Sequence, residues 1–236
     1  MTADYRPAYP SPAHLVIFDA DGTLIDAFAA IDKAFTLHGL NLGDLARFQK
    51  RHNMFKYLGG LKEFPRNLSL QIGKRQRREL ITTMTGIYRE EALLFPGMGK
   101  LLRRLIDNQD VRVALVTRNI THEPEQTLRA LLLRHDIDIR EIDHWAHVPL
   151  SETKTAAFRT ARERFGINPA RCLVLGDEHK DYAAALAAGM QAMIAAYGFD
   201  SLERLTGKYE IPPEVIAATP AELIARLQHA LGLPGR

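Results

Sequence analysis

Two carboxylates stand two residues apart in FDADGT (18–23), where Asp19 and Asp21 close the apolar run LVIFDA (15–20). At a strand end that spacing sends both side chains to the same side. Gly22 lets the backbone turn away where a side chain would obstruct it. An ordinary Asp-Gly turn has the same letters, so the pair must be weighed with other segments. VTRN (116–119) ends a second apolar run with Thr117, whose hydroxyl and following amides can hold an anion. Lys154, in SETKTAAF, opens a helical pattern at the end where the helix dipole disfavours a cation. An anion facing it would account for that placement; a solvated lysine is the plainer alternative. GDEHKD (176–181) ends a further run and sets Asp177 and Asp181 one turn apart at a helix start. Acids there serve as caps or, with water, as ligands of a hard cation.

These motifs need a frame, and the chain supplies one. The apolar runs at 15–20, 111–117, 142–148, 172–177 and 191–198 alternate with helical spacing at 121–135, 153–166 and 179–188. That rhythm predicts an α/β fold with a doubly wound parallel sheet. Between the first two runs lie about ninety residues (25–110), helix-like over 26–39, 44–57 and 68–93, with LFPGM (94–98) marking the return. We read this as an all-helical insertion: residues 1–25 and 93–236 form the core domain and 26–92 a second, helical domain. The segment 206–220 reads as loop, and 220–231 as a closing helix. All four motifs fall at or just after the carboxyl ends of predicted strands, where open α/β sheets bind ligands. Independent turns and caps would scatter over both ends of the sheet.

FDADGTLID, VTRN, Lys154 and GDEHKD match, in order, the four motifs of the haloacid dehalogenase superfamily, and the chain resembles its hydrolases over 15–198. The helical insertion and the LFPGM return resemble the phosphoglycolate phosphatase-like branch. The resemblance implies a Rossmann-like core under a helical cap and a Mg2+-dependent phosphatase acting through an aspartyl-phosphate. Asp19 would be the nucleophile and Asp21 the acid and base. Thr117, Arg118 and Lys154 would bind the phosphoryl group, and Asp19, Asp177 and the Asp21 carbonyl the Mg2+. Asp181 would be either a ligand through water or a support for Lys154, with support preferred. Asp21 favours phosphate esters over the dehalogenase and phosphonate branches. Thr23 leans towards phosphatases rather than sugar phosphomutases. Thr155 stands where many relatives have Pro, Arg118 where Asn is common, and His179 and Lys180 where smaller residues are usual. A sugar phosphomutase or phosphotransferase on the same scaffold is the alternative, followed by a non-catalytic phosphate-ligand sensor.

Ten Lys or Arg residues against the single acid Glu63 lie between Arg47 and Arg78. A basic cap suits a substrate with a second anionic group, and Arg51, His52 and Lys56 are the first candidates to contact it. KRQRR (74–78) reads rather as a solvated helix face. The formal net charge of +3 does not call for nucleic acid, and no nucleic-acid module is visible. A single cysteine, Cys172, excludes a disulfide framework and a cysteine zinc ribbon. His144 and His147 flank Trp145 in a strand-like run and are assigned to structure. The opening MTADYRPAYPSPAHL lacks an apolar leader run, and no segment reads as a membrane span. The expectation is a cytoplasmic enzyme for a small phosphorylated metabolite. Oligomeric state is not encoded in any visible seam.

Overall fold

The computed structural model describes residues 14–50 and 74–234. β1 (His14–Phe18), β2 (Val111–Thr117), β3 (His144–His147), β4 (Cys172–Gly176), β5 (Gln191–Ala195) and β6 (Ile216–Ala217) build one sheet in the order β3-β2-β1-β4-β5-β6. Every neighbouring pair is parallel. The chain winds outward from β1 through β2 to β3, then crosses back to begin again at β4 beside β1. The strand order thus reverses between β1 and β4, where Phe18 pairs with Leu175. Crevices for ligands open at such reversals, outside the carboxyl ends of the strands.

Period-two alternation divides the strands between two apolar layers. Val16, Phe18, Val113, Leu115, Leu173 and Leu175 face one core. It is covered by α4 (Met98–Ile106), α5 (Pro124–Leu133) and α8 (Pro220–Ala230) through residues such as Leu101, Leu128 and Leu223. Leu15, Ile17, Ala114, Val116 and Val174 face the other. There Phe158 of α6 (Thr155–Phe165) and Ala185 of α7 (His179–Ala187) close the layer. Both faces are dry, as a parallel sheet requires.

The insertion contains α1 (Ala27–Leu37), α2 (Leu45–Lys50) and α3 (Lys74–Glu90) among its described residues. The chain leaves and rejoins the sheet layer side by side: the Asp26 amide donates to the Leu93 carbonyl at 2.9 Å, and the Phe95 amide to the Leu24 carbonyl at 2.8 Å. Ile31, Phe35, Leu80, Met84 and Tyr88 are buried in the same cluster as Val16 and Phe18. The insertion therefore packs on the sheet layer and is not a detached bundle. Arg89 of α3 also reaches Thr127 and Glu123 beside α5.

Two elements differ from the sequence reading. Residues 206–220 were expected as loop, but Ile216–Ala217 pair with Ile194–Ala195 as a sixth strand. A two-residue strand is too short to show alternation, and its order comes from the neighbour it borders. Overlapping the start of that segment, Arg204–Lys208 form a π-helical turn. His144 and His147 do lie on a strand; His147 Nε2 is 3.0 Å from the Asn119 carbonyl. Among the described residues, no helix is long and apolar enough to cross a membrane.

Asp26 caps α1 by accepting from the Ala29 amide at 3.1 Å. Asp26→Ala should lower stability by about 1 kcal/mol, read as a lower urea midpoint with an unchanged m-value. An unchanged midpoint would mean that the insertion does not depend on this cap.

Candidate active site

The carboxyl ends of β1 and β4 bring the predicted residues together. Asp19 follows β1 directly, and its amide donates to the Leu175 carbonyl at 2.8 Å, so sheet pairing continues one residue past the strand. Asp177 follows β4, Thr117 is the last residue of β2, and Lys154 immediately precedes α6. Lys154 Nζ lies 2.5 Å from Asp19 Oδ2 and 2.8 Å from Asp181 Oδ1. Its side chain is 2% exposed, so the reading as a solvated lysine does not hold. Burial works against the ammonium charge, but Asp181 and Asp19 more than offset it and raise the Lys154 pKa.

Burial pushes the Asp19 carboxyl up to about 7, against the pull of Lys154. It raises Asp177 as well, reinforced by Asp19 and Asp181. One carboxylate oxygen from each of Asp19, Asp177 and Asp181 lies within 4.8 Å of the others. Three buried acids against one lysine leave an excess of negative charge when all are ionised. Asp177 Oδ2 accepts from the Phe199 amide at 2.7 Å, whereas Oδ1 is buried with no hydrogen-bond partner. An all-oxygen donor set, a charge deficit and an orphaned carboxylate oxygen together fit a hard divalent cation. Asp181 has both oxygens engaged: Oδ1 with Lys154, and Oδ2 with the Glu178 amide at 3.2 Å in a capping box. It therefore caps α7 and braces the lysine at once.

Asp21 points elsewhere. Its Oδ1 accepts from the Tyr88 hydroxyl at 2.9 Å, and its Oδ2 from Asn119 Nδ2 at 2.9 Å. Burial raises its pKa to about 6, although both hydrogen bonds favour the anion. The Asn119 amide is oriented because its oxygen accepts from the Thr121 amide at 3.0 Å. Thr117 is fully buried, and its hydroxyl oxygen accepts from the Asn119 amide at 3.1 Å. Arg118 lines the cavity, but its Nη2 is bound to Glu178 at 2.7 Å, so a carboxylate already holds part of the guanidinium.

The backbone reaches the acids closely because two glycines permit it. Gly22 has φ +79, and a Cβ there would run into the Asp177 carboxylate. A Cβ on Gly198 would sit 2.5 Å from Asp177 Cβ. The cavity above the site has a volume of about 300 Å3 and is shared by sheet-end and insertion residues, among them Asp19, Asp21, Thr117, Met84 and Tyr88. Arg51, His52 and Lys56 lie outside the described residues. Of the basic run, Arg75 is exposed and pairs with Glu79 at 2.9 Å, as a solvated helix face would.

An acid pair, a buried lysine and three clustered carboxylates at the reversal of a parallel sheet make an α/β site built to handle anions. Residues 13–189 match the haloacid dehalogenase-like hydrolases. The chain belongs to that family. It is 25% identical over 218 residues to the phosphoglycolate phosphatase of Synechococcus elongatus, covering 89% of this chain and 94% of that one. To the phosphoglycolate phosphatase of Pseudomonas putida it is 29% identical over 202 residues, covering 79% and 70%. Among solved structures it is similar to a haloacid dehalogenase-like hydrolase of Streptococcus pneumoniae, with TM-score 0.61 and 22% identity over 93% of this chain and 100% of that one.

Sequence reasoning left Tyr88 without a role and gave Asn119 none beyond following Arg118. Tyr88 carries no local signal, since its spacing on α3 reads as core and only the folded insertion brings it to Asp21. Asn119 was findable, because a polar side chain two residues beyond a strand-end Thr shares its side of the chain.

Lys154→Met should cost about 3–5 kcal/mol near pH 8 in metal-free buffer, because it leaves buried carboxylates uncompensated. Without the lysine, Asp19, whose pKa burial already raises, holds its proton more tightly still when folded than when unfolded, so the variant's stability falls as pH rises. Urea titrations at pH 8 and pH 5.5 should therefore show the deficit shrinking at the lower pH. An equal deficit at both would mean that packing, not charge, is what the lysine supplies.

Proposed function

We propose that the chain is a Mg2+-dependent phosphatase that hydrolyses a small phosphorylated metabolite through an aspartyl-phosphate on Asp19. The observation that carries this reading is the different placing of one acid pair: Asp19 lies 2.5 Å from a buried ammonium and beside Asp177 and Asp181, while Asp21 is held apart by Tyr88 and Asn119. Burial raises both carboxyls, Asp19 to about 7 and Asp21 to about 6; a cation beside Asp19, added to Lys154, would favour its anion as a nucleophile requires, and Asp21 is poised to exchange a proton near neutrality. Support also comes from the Synechococcus elongatus and Pseudomonas putida relatives, each a phosphoglycolate phosphatase.

In this mechanism Asp19 attacks phosphorus as the ester oxygen departs, and Asp21 gives that oxygen its proton. Asp21 then takes a proton from water, which attacks the same phosphorus and releases Asp19 and inorganic phosphate. Lys154 and the Thr117 hydroxyl hold the equatorial oxygens as charge develops. Asp181 keeps Lys154 aimed. Asp19, Asp177 and the Asp21 carbonyl would hold the Mg2+, which when bound neutralises phosphoryl charge and relieves the repulsion among the acids. Residues 26–92 act as the cap, excluding water above the acids. The cavity volume of about 300 Å3 suits a small substrate. One buried thiol, Cys172, is in keeping with a cytoplasmic setting.

The test is phosphate release from a panel of small phosphoesters, with and without Mg2+, beside Asp19→Asn. We expect Mg2+-dependent release that the substitution abolishes, together with a Mg2+-induced rise in Tm that Asp177→Asn removes. Transfer to a sugar acceptor in place of water would establish the phosphomutase reading. Folded protein that binds esters without turnover or transfer would mark a sensor. Tyr88→Phe should lower kcat about tenfold with little change in KM, since it removes one hydrogen bond to a charged group. An unchanged kcat would detach the α3 hydroxyl from the acid-base step.

A further inference from the structure

A second part of the cavity wall has its own construction. The π-turn Arg204–Lys208 is closed by the Tyr209 amide donating to the Arg204 carbonyl at 3.3 Å, five residues apart. Such a turn puts residues i, i+4 and i+5 on one side, and Arg204, Lys208 and Tyr209 all line the cavity that holds Asp19 and Asp21. Leu205, fully buried, anchors the turn on its other side.

This wall is tied rigidly to the catalytic acids. Arg204 Nε lies 3.0 Å from Asp200 Oδ1, and Arg204 Nη2 donates to the Tyr209 hydroxyl at 3.0 Å. Asp200 is fully buried and its Oδ2 accepts from the amide of His179, two residues past Asp177. The His179 ring stacks on Tyr209 with centroids 3.7 Å apart and planes within 9°. Arg204 and Lys208 lie over the same tyrosine ring at 5.5 and 5.2 Å, a favourable placement for a cation. A ring so enclosed offers a flat base little free face. Away from Asp19, Asp21 and Asp177, the charged lining is Arg118, Lys180, Arg204 and Lys208 against Glu178 alone. Arg118 is bound to Glu178 and Arg204 to Asp200. Among the described residues, Lys208 has no carboxylate within ion-pair distance.

We propose that Lys208 and Arg204, held by Tyr209 and Asp200, form a second anion subsite that selects phosphomonoesters whose alcohol part bears a carboxylate or another phosphate. The subsite residues, Arg204, Lys208, Tyr209 and Asp200, all belong to the core side of the cavity. It rests on the phosphatase reading above for the identity of the first anion. Lys208 is the specificity-determining residue that meets the ligand; Arg204 is also braced against Asp200 and Tyr209.

The experiment compares 2-phosphoglycolate, ethane-1,2-diol bisphosphate and ethyl phosphate as probes. The readouts are kcat/KM in the Mg2+-loaded full chain and, separately, Kd by calorimetry in the Asp19→Asn chain. The charged-to-uncharged ratio in both should fall about tenfold in Lys208→Ala and further in Lys208→Glu, and return towards wild type in Lys208→Arg. Whether the carboxylate or the bisphosphate ratio moves more identifies the second anion. Ratios unchanged in Lys208→Glu overturn the subsite while phosphate release persists. Absence of release from every ester strikes the phosphatase reading instead, and the Kd ratios then decide the subsite alone. Preferential binding of a nucleoside monophosphate that ignores Lys208→Glu would also overturn it.

Discussion

The folded chain must hold three carboxylates, Asp19, Asp177 and Asp181, around one ammonium, Lys154, with almost no water. Asp181 and Asp177 are at most 1% exposed, Lys154 2% and Asp19 9%. Ionised acids in such a setting are tolerated only where geometry is tight and partners are in place. The parallel sheet provides that geometry: Asp19 and Asp177 issue from adjacent strands in fixed register, at the one gap where the winding reverses. Lys154 enters from the helix that follows β3, and Asp181 from the first turn of α7. Each element ends where it does so that a charge arrives beside another. Gly22 and Gly198 then let backbone come close enough to Asp177 to exclude solvent, and the Phe199 amide satisfies one of its oxygens.

The same economy explains why Asp21 is separated from the cluster. Had Asp21 joined the other acids, its charge would have added to theirs. Its carboxylate turns away instead, to the Tyr88 hydroxyl and the Asn119 amide. Tyr88 comes from α3, so the setting of the Asp21 carboxylate is joined to the packing of the insertion. Met84 and Leu80 on the same helix are buried with the β1 residues Val16 and Phe18. The position of the tyrosine hydroxyl is therefore set by a hydrophobic contact, and a shift of α3 would be felt at Asp21.

Much of this could be read from the chain. Apolar runs ending in Asp19, Thr117 and Asp177 mark strands, since a parallel sheet buried on both faces writes itself as continuous β-branched stretches. Lys154 was readable from its unfavourable position at a helix start, a local cost that burial against two acids now accounts for. What escaped was set by tertiary packing. β6 has two residues and no pattern of its own; it exists because β5 offers an edge. The π-turn at Arg204–Lys208 has no periodicity to detect, and Asp200 resembles any loop acid until its burial is known. Tyr88 looks like one more core aromatic on an amphipathic helix.

Arg118 and Glu178 carry the last step. Each sits beside the charged cluster, on the ends of β2 and β4 respectively. Glu178 alone would add a further negative charge next to Asp177, whose pKa it already helps to raise. Arg118 alone would compete with Lys154 for the same acids. Bound to each other at 2.7 Å, and only 12% and 19% exposed, they contribute little net charge and instead bridge two loop ends across the gap between strands. The bridge stiffens the rim next to His179, whose ring stacks on Tyr209 of the basic wall. The sheet-end acids and the basic wall are thus held by one continuous set of pairs, so the spacing between Asp19 and Lys208 is set by the core itself.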